Sequence, residues 1–258
     1  ILRLWVASSD YHSDIRISND ILSQLSDAYK KIRNTARFIL GNLSNAGGFN
    51  PNTDAVSLGE LCDLDKWAIV RLDNLIDKVN AAYEVFDYHI VFHAIHNFCV
   101  IDMSNFYLDI IKDRLYCEKP DSKERRAAQT VIYTILSAIS RLVAPILSFT
   151  AEEIWSYLPK LDSDNAESIF LNDMPVKSGI SVSGEFMEKW DLIEKVREDA
   201  KKALEIKRAE KVIGASLEAA VRLYADGNMY SQLADITSEL PTILIVSKAS
   251  VEQGAELG

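Results

Sequence analysis

A chain of 258 residues, 48% hydrophobic and 26% charged, has room for one large domain or two smaller ones and enough apolar side chains to bury a core, which excludes a wholly disordered chain. A formal net charge of −10 speaks against a nucleic-acid partner if the sum alone is weighed, but the distribution of charge is the better guide. Three cysteines, Cys62, Cys99 and Cys117, share no tight spacing, which excludes a disulfide framework and suits a reducing cytoplasm. No stretch approaches the roughly 18 apolar residues of a membrane span.

The chain opens on Ile1-Leu2-Arg3-Leu4-Trp5 with no Met and no signal pattern, as expected of a segment cut from a longer polypeptide. Residues 1–18, broken by Ser8-Ser9-Asp10, read as a connector. Ser18 can cap a helix running to about Leu43, which Gly47-Gly48 and Asn50-Pro51-Asn52 end as a loop. A second helix is predicted from about Asp63 to Phe86 and a third from about Tyr88 to Tyr116, closed by Pro120. Asp121 with Glu124 makes a capping box for a fourth helix up to Pro145, and Thr150 with Glu153 repeats it for a short fifth ending before Pro159. Residues 161–184 are loop-like. A charged helix follows from about Glu185 to Lys211. Leu217–Tyr224 and Ile243–Val246 read as short strands around a helix near Tyr230 to Leu240. The predicted fold is mainly α: a bundle of about five helices over 19–160, a further long helix, and a small α+β appendage completing 185–258.

The window Tyr29–Leu43 carries four cations and no carboxylate. At about 100° per residue, Lys30, Arg33, Asn34, Arg37 and Gly41 share one stripe, while Ala28, Ile32, Ala36, Ile39 and Leu43 share the opposite one. A core-anchored helix with a basic, amide-bearing outer face suits a phosphate backbone, since Arg offers a bidentate fork, Lys a point charge and Asn a donor and an acceptor. The competing reading, favoured by residue types alone, is a solvated face paired with acids on a neighbouring helix. A second basic concentration, which includes Arg197, Lys207, Arg208 and Lys211, is interleaved with Glu198, Asp199, Glu205 and Glu210, so intrahelical ion pairing is the preferred account there.

His89, His93, His96 and Cys99 fall on one helical face, a combination that zinc accepts. One straight helix spreads them over about 15 Å at about 1.5 Å per residue, so they cannot converge on one ion, and interhelical hydrogen bonding is expected instead. Asp102, Asp109 and Asp113 are too far apart along their helix for joint acid–base work and are expected to pair with Arg125, Arg126 or Arg141. No nucleophile elbow, phosphate-binding loop or dinucleotide fingerprint is present.

Several segments, in order, resemble a known family. Ile1–Tyr11 resembles the stretch that follows the lysine-rich catalytic signature of isoleucyl-tRNA synthetases, and Tyr29–Leu43 resembles the start of the anticodon-binding bundle of the isoleucyl, valyl and leucyl group. His96-Asn97-Phe98-Cys99, Tyr107-Leu108-Asp109, Lys112–Tyr116, Glu124–Thr130, Ala144-Pro145-Ile146 and Phe149–Trp155 resemble the isoleucyl branch; Ser148 stands where that family often has a second proline. The resemblance implies a fragment that holds the anticodon stem and loop of isoleucine tRNA in the cytoplasm, with Lys30, Arg33, Asn34 and Arg37 as the RNA-facing residues and Lys207 and Arg208 as secondary ones. It implies no membrane or DNA partner and no cofactor in the fragment. ATP and Mg would serve a catalytic domain elsewhere, whose His-Ile-Gly-His and Lys-Met-Ser-Lys-Ser signatures are absent here, and zinc would belong to the four-cysteine C-terminal module of many bacterial members, which either lies outside this sequence or is lacking in the parent protein. The alternatives are a valyl or leucyl fragment, or a helical scaffold that binds a protein.

Overall fold

The computed structural model describes residues 1–44 and 48–254. It divides into two compact units, Ile1–Ile180 and the residues from Ser181 onward. Among the described residues no helix is long and apolar enough to cross a membrane.

The first unit begins with α1 (Leu2–Ser8), a short helix within the segment expected to be a connector. It is held because Leu4 and Ala7 are buried against the bundle. Helix α2 (Asn19–Ser44) starts as predicted, the Ser18 hydroxyl accepting from the Ile21 amide at 3.2 Å. Gly47, in the loop predicted to follow, lies outside the described residues. Helix α3 (Asp63–Glu84) carries the centre of the core: Trp67, Ile69 and Leu72 are almost wholly buried, with the Trp67 ring 4.7 Å from that of Phe106.

The predicted third helix is not one α-helix. It comprises α4 (Tyr88–Asn97), a π-helical segment (Phe98–Tyr107), α5 (Leu108–Ile110) and, after a break at Ile111, α6 (Lys112–Cys117). A π turn takes an extra residue per loop of backbone and loosens the ladder. Hydroxyls compensate: the Cys99 carbonyl accepts from Ser104 at 2.8 Å and from Thr35 of α2 at 3.4 Å. This wider turn puts both Asp102 and Met103 inside the bundle, where the Asp102 carboxylate accepts from Arg71 at 2.9 and 2.6 Å. Burial raises the Asp102 pKa, while Arg71 pulls it the other way.

Two further helices complete the bundle, α7 (Lys123–Val143) and α8 (Ser148–Tyr157). Both predicted caps are displaced. Helix α7 is capped by Ser122, whose hydroxyl accepts from the Arg125 amide at 3.3 Å, so Asp121 stands one residue too early. Helix α8 begins before Thr150, because the turn after Pro145 already puts Leu147 at the N-cap. Thr150 is therefore free to bond Tyr29 across the bundle. From Leu158 to Ile180 the chain is largely irregular and is pinned by carboxylates: Asp73 accepts from the Ser178 amide and hydroxyl, and Asp164 from Arg141 at 2.6 Å.

The second unit contains α9 (Gly184–Ala209), then β1 (Ala220–Ala225), α10 (Gly227–Ala234), α11 (Leu240–Leu244) and β2 (Lys248–Gln253). The two strands pair in parallel, Ala220 opposite Lys248 through Ala225 opposite Gln253. The strand expected at Ile243–Val246 is instead the end of α11 and its left-handed C-cap at Ile245. A four-residue apolar run does not distinguish strand from helix, and Pro241 in the first turn favours the helix. Arg197, grouped from sequence with the cations expected to pair along their own helix, is buried and donates to the Ile243 carbonyl at 2.7 Å, satisfying a helix C-terminus. The fold is mainly α throughout.

Candidate nucleic-acid interface

Helix α2 presents the two faces expected of it. Ile32, Ala36, Ile39 and Leu43 are buried, Ala28 and Gly41 are half-buried, and Lys30, Arg33, Asn34 and Arg37 are exposed. Lys30 pairs with Asp27 at 2.9 Å, a carboxylate one turn earlier and just outside the acid-free window. Both groups are well exposed, so the pair contributes at most a few tenths of a kcal/mol and does not immobilise the lysine. Arg33, Asn34 and Arg37 make no side-chain hydrogen bond or ion pair with the described residues. The ion pairing with acids of a neighbouring helix, expected in the competing reading, is not formed by these three among the described residues.

What the neighbouring helix supplies is a wall. Helix α8 packs beside α2, with the Tyr29 phenol and the Thr150 hydroxyl 3.1 Å apart bridging the two. Between them runs an open groove of about 390 Å³. Ala36 and Ile154, both buried, give it an apolar base; Arg33 and Arg37 stand on the α2 side, Glu153 and Tyr157 on the α8 side. Tyr157 is 71% exposed. Nearby on α8, Phe149 is 84% exposed, with the Arg3 guanidinium 5.8 Å from its ring centroid. Arginines beside exposed aromatic rings are the combination that single-stranded RNA favours, since bases stack on rings while phosphates meet the cations.

Sequence reasoning did not anticipate the α8 half of this surface. Thr150 and Glu153 looked like a capping box, Phe149 entered only as part of the resembling segment Phe149–Trp155, and Tyr157 was not singled out. The available signal was helical spacing, since Thr150, Glu153 and Tyr157 fall on one face of α8.

Gly41 lines the same groove, and a Cβ added there would meet nothing within 4 Å. Packing does not require this glycine, and glycine within a helix costs roughly 0.5–1 kcal/mol relative to alanine. Gly41→Ala is expected to raise the melting temperature by a few degrees in calorimetry while weakening RNA binding, because the new methyl group narrows the groove. A rise in stability with unchanged RNA affinity would remove Gly41 from the interface.

The remaining sequence candidates are placed differently. Lys207 and Arg208 belong to the second unit, in the last turn of α9, and both already have carboxylate partners: Lys207 pairs with Glu210 at 2.8 Å, and Arg208 with Glu205 while also donating to Ser216. The histidine face is not an interhelical hydrogen-bond array. His93 is exposed, His96 stacks on Phe92 with ring centroids 5.9 Å apart, and the buried Nδ1 of His89 has no hydrogen-bond partner among the described residues. Desolvation, reinforced by the neighbouring His89 and His96, lowers the His93 pKa. Among the described residues no group of three or more His, Cys, Asp or Glu side chains could hold a metal ion. Of the helix carboxylates, Asp102 is turned by the π segment towards Arg71, which was not among its expected partners, and Asp109 pairs with Lys112 a turn away. Arg141 takes Asp164 and lies 5.2 Å from the Trp155 ring centroid, and Arg126 takes Asp54.

A family profile described as the anticodon-binding domain of tRNA ligase matches residues 65–223, more than half of the chain. The chain belongs to this family. The match begins after α2, so it includes the α8 side of the groove and not the arginine side. Curated relatives extend over both. The isoleucine–tRNA ligase of Caldicellulosiruptor saccharolyticus is 52% identical over 255 residues, covering 98% of this chain and 27% of the relative. That of Caldicellulosiruptor bescii is 51% identical over 254 residues, with the same coverage, and that of Bacillus mycoides is 49% identical over 248 residues, covering 96% of this chain and 26% of its own length. The chain therefore spans about a quarter of the curated relatives it matches.

Proposed function

We propose that this chain is the part of an isoleucine–tRNA ligase that grips the anticodon stem and loop of isoleucine tRNA. The observation that carries the reading is the exposed Arg33–Asn34–Arg37 stripe, unpaired among the described residues, on a core-anchored helix beside a groove edged by an exposed tyrosine, in a member of the anticodon-binding family. Lys30, Arg33, Asn34 and Arg37 contact phosphates, with Lys207 and Arg208 in a secondary role because each must first release a carboxylate. That the relatives named above are isoleucine ligases favours isoleucine over valine or leucine.

The aminoacylation itself, in this reading, joins isoleucine to tRNA at the expense of ATP, in the cytoplasm, in a catalytic domain outside this chain where ATP and Mg bind. The binding energy collected here does no chemistry. It orients the distant acceptor end, which is how remote contacts accelerate a reaction. The overall charge of −10 is compatible with this because a phosphate backbone responds to the local field of the stripe, screened over about 8–10 Å at ordinary ionic strength.

The test is binding of the chain to isoleucine tRNA at two salt concentrations, beside a transcript with a swapped anticodon. Expected is affinity that falls steeply with salt, as counterion release requires, and falls further with the swap. Tight binding insensitive to salt, or no binding at low salt, would overturn the reading and favour a protein-binding scaffold.

A further inference from the structure

Three charged side chains line the α2–α8 groove without partners among the described residues: Arg33, Arg37 and Glu153. Elsewhere on its helices exposed charges three residues apart pair readily, as Lys30 does with Asp27, Lys112 with Asp109, Lys202 with Asp199 and Lys207 with Glu210. Glu153 and the two arginines share one groove yet stay out of ion-pair range of each other. A groove that only tracked a phosphate backbone would gain nothing from a carboxylate, which repels phosphate. A carboxylate in that position suits a ligand group with hydrogen-bond donors.

We infer that the α2–α8 groove is a pocket for one unstacked RNA base, and that Glu153 selects guanine there. The inference rests on the reading of the chain as an RNA-binding domain. An ionised carboxylate offers two acceptor oxygens and no donor. Among the four bases, the Watson–Crick edge of guanine alone presents two adjacent donors, its ring N–H and its 2-amino group. Adenine and cytosine set one amino donor beside an acceptor, and uracil sets one N–H between two carbonyls. Only guanine can therefore meet Glu153 with both oxygens occupied and no acceptor facing an acceptor. The remaining surfaces suit the rest of a nucleotide: Ala36 and Ile154 give an apolar base, Tyr157 a ring for stacking, and Arg33 and Arg37 cations for the flanking phosphates. Such recognition requires a base out of its helix, which a loop provides and a stem does not.

The test uses RNA hairpins with one fixed stem and a seven-nucleotide loop of uridines, through which a single guanosine is moved position by position. Each guanosine hairpin is compared with its inosine counterpart, which lacks the 2-amino group. Wild-type chain is expected to bind the guanosine hairpin at one loop position roughly tenfold tighter than the inosine one, the ratio for one lost hydrogen bond of about 1.4 kcal/mol. Glu153→Gln should bring the ratio to within about twofold, since an amide presents one acceptor beside a donor. Its binding to the all-uridine hairpin should remain salt-sensitive and at least as tight, because a charge that repels phosphate is gone. Salt-sensitive binding with no guanosine preference in the wild type, or a preference that survives Glu153→Gln, overturns the guanine pocket and leaves the RNA reading in place. Failure of every hairpin to bind at low salt overturns both.

Discussion

The double variant Arg33→Ala, Arg37→Ala is expected to bind isoleucine tRNA roughly thirty- to hundredfold more weakly, at about 1–1.5 kcal/mol for each exposed arginine–phosphate hydrogen-bonded pair removed. The salt dependence should change in step. Each phosphate neutralised contributes about 0.7–0.9 to the slope of log affinity against log salt, so removing two such pairs should flatten that slope by roughly 1.4–1.8. The slope discriminates better than affinity alone, because a merely misfolded variant would lose affinity without a defined change in slope. Misfolding is not expected, since both side chains are exposed and neither holds a structural hydrogen bond or ion pair among the described residues. The matching pair Lys207→Ala, Arg208→Ala should have a smaller effect, because these cations already hold Glu210 and Glu205. An unchanged slope in the first variant would sink the α2 stripe as the phosphate-binding surface; a larger change in the second would move the interface to the second unit.

The largest effect on stability is expected at Asp65. Its side chain is fully buried in the first turn of α3 and accepts from Arg114 twice, at 3.0 and 2.7 Å, and from the Tyr107 phenol at 2.7 Å. Arg114 also donates to the Glu124 carbonyl at 3.3 and 3.1 Å, so one carboxylate ties α3 to the end of the π segment, to α6 and to the start of α7. Burial and the adjacent Asp65 charge raise the Tyr107 pKa well above the usual phenol range, which keeps its hydroxyl a donor at any working pH. Asp65→Ala would leave Arg114, whose side chain is 18% exposed, as a nearly buried cation without its counter-charge. Breaking a buried pair from one side costs on the order of 3–5 kcal/mol. For a chain of this size that lowers the melting temperature by roughly 10 °C. Asp27→Ala, which removes an exposed partner of Lys30, provides the contrast and should change stability by less than about 0.5 kcal/mol. Thermal melts of the two variants decide the matter. Equal losses would mean that the Asp65–Arg114 clamp adds nothing to the bundle.

The bundle could be read along the chain because most of its helices announce themselves locally. Alternating apolar and polar faces, Ser18 before α2, and prolines beyond the ends of α6, α7 and α8 are all short-range signals, and the bounds of α2, α3 and α9 came out within a few residues. Failures occurred where two local readings are nearly equal in energy. Ile243–Val246 suits strand or helix, and the outcome follows from Pro241 and from the Arg197 guanidinium that satisfies the end of α11. The π segment is invisible to a periodicity search at 3.6 residues per turn. Its Cys99 carbonyl accepts from the hydroxyls of Ser104 and Thr35, and Thr35 lies on a different helix.

The candidate site divides along the same line. The sequence by itself determined the α2 half: Lys30, Arg33, Asn34 and Arg37 share a face because 3.6 residues make a turn, and burying Ile32, Ala36 and Ile39 forces that face outward. Only the tertiary structure decided that the arginines stay unpaired among the described residues, since whether a surface cation finds an acid depends on what the adjacent helix presents. It also decided that Glu153 and Tyr157, more than a hundred residues further on, form the opposite wall. That juxtaposition comes from the packing of α8 beside α2, and no local pattern in either helix records it.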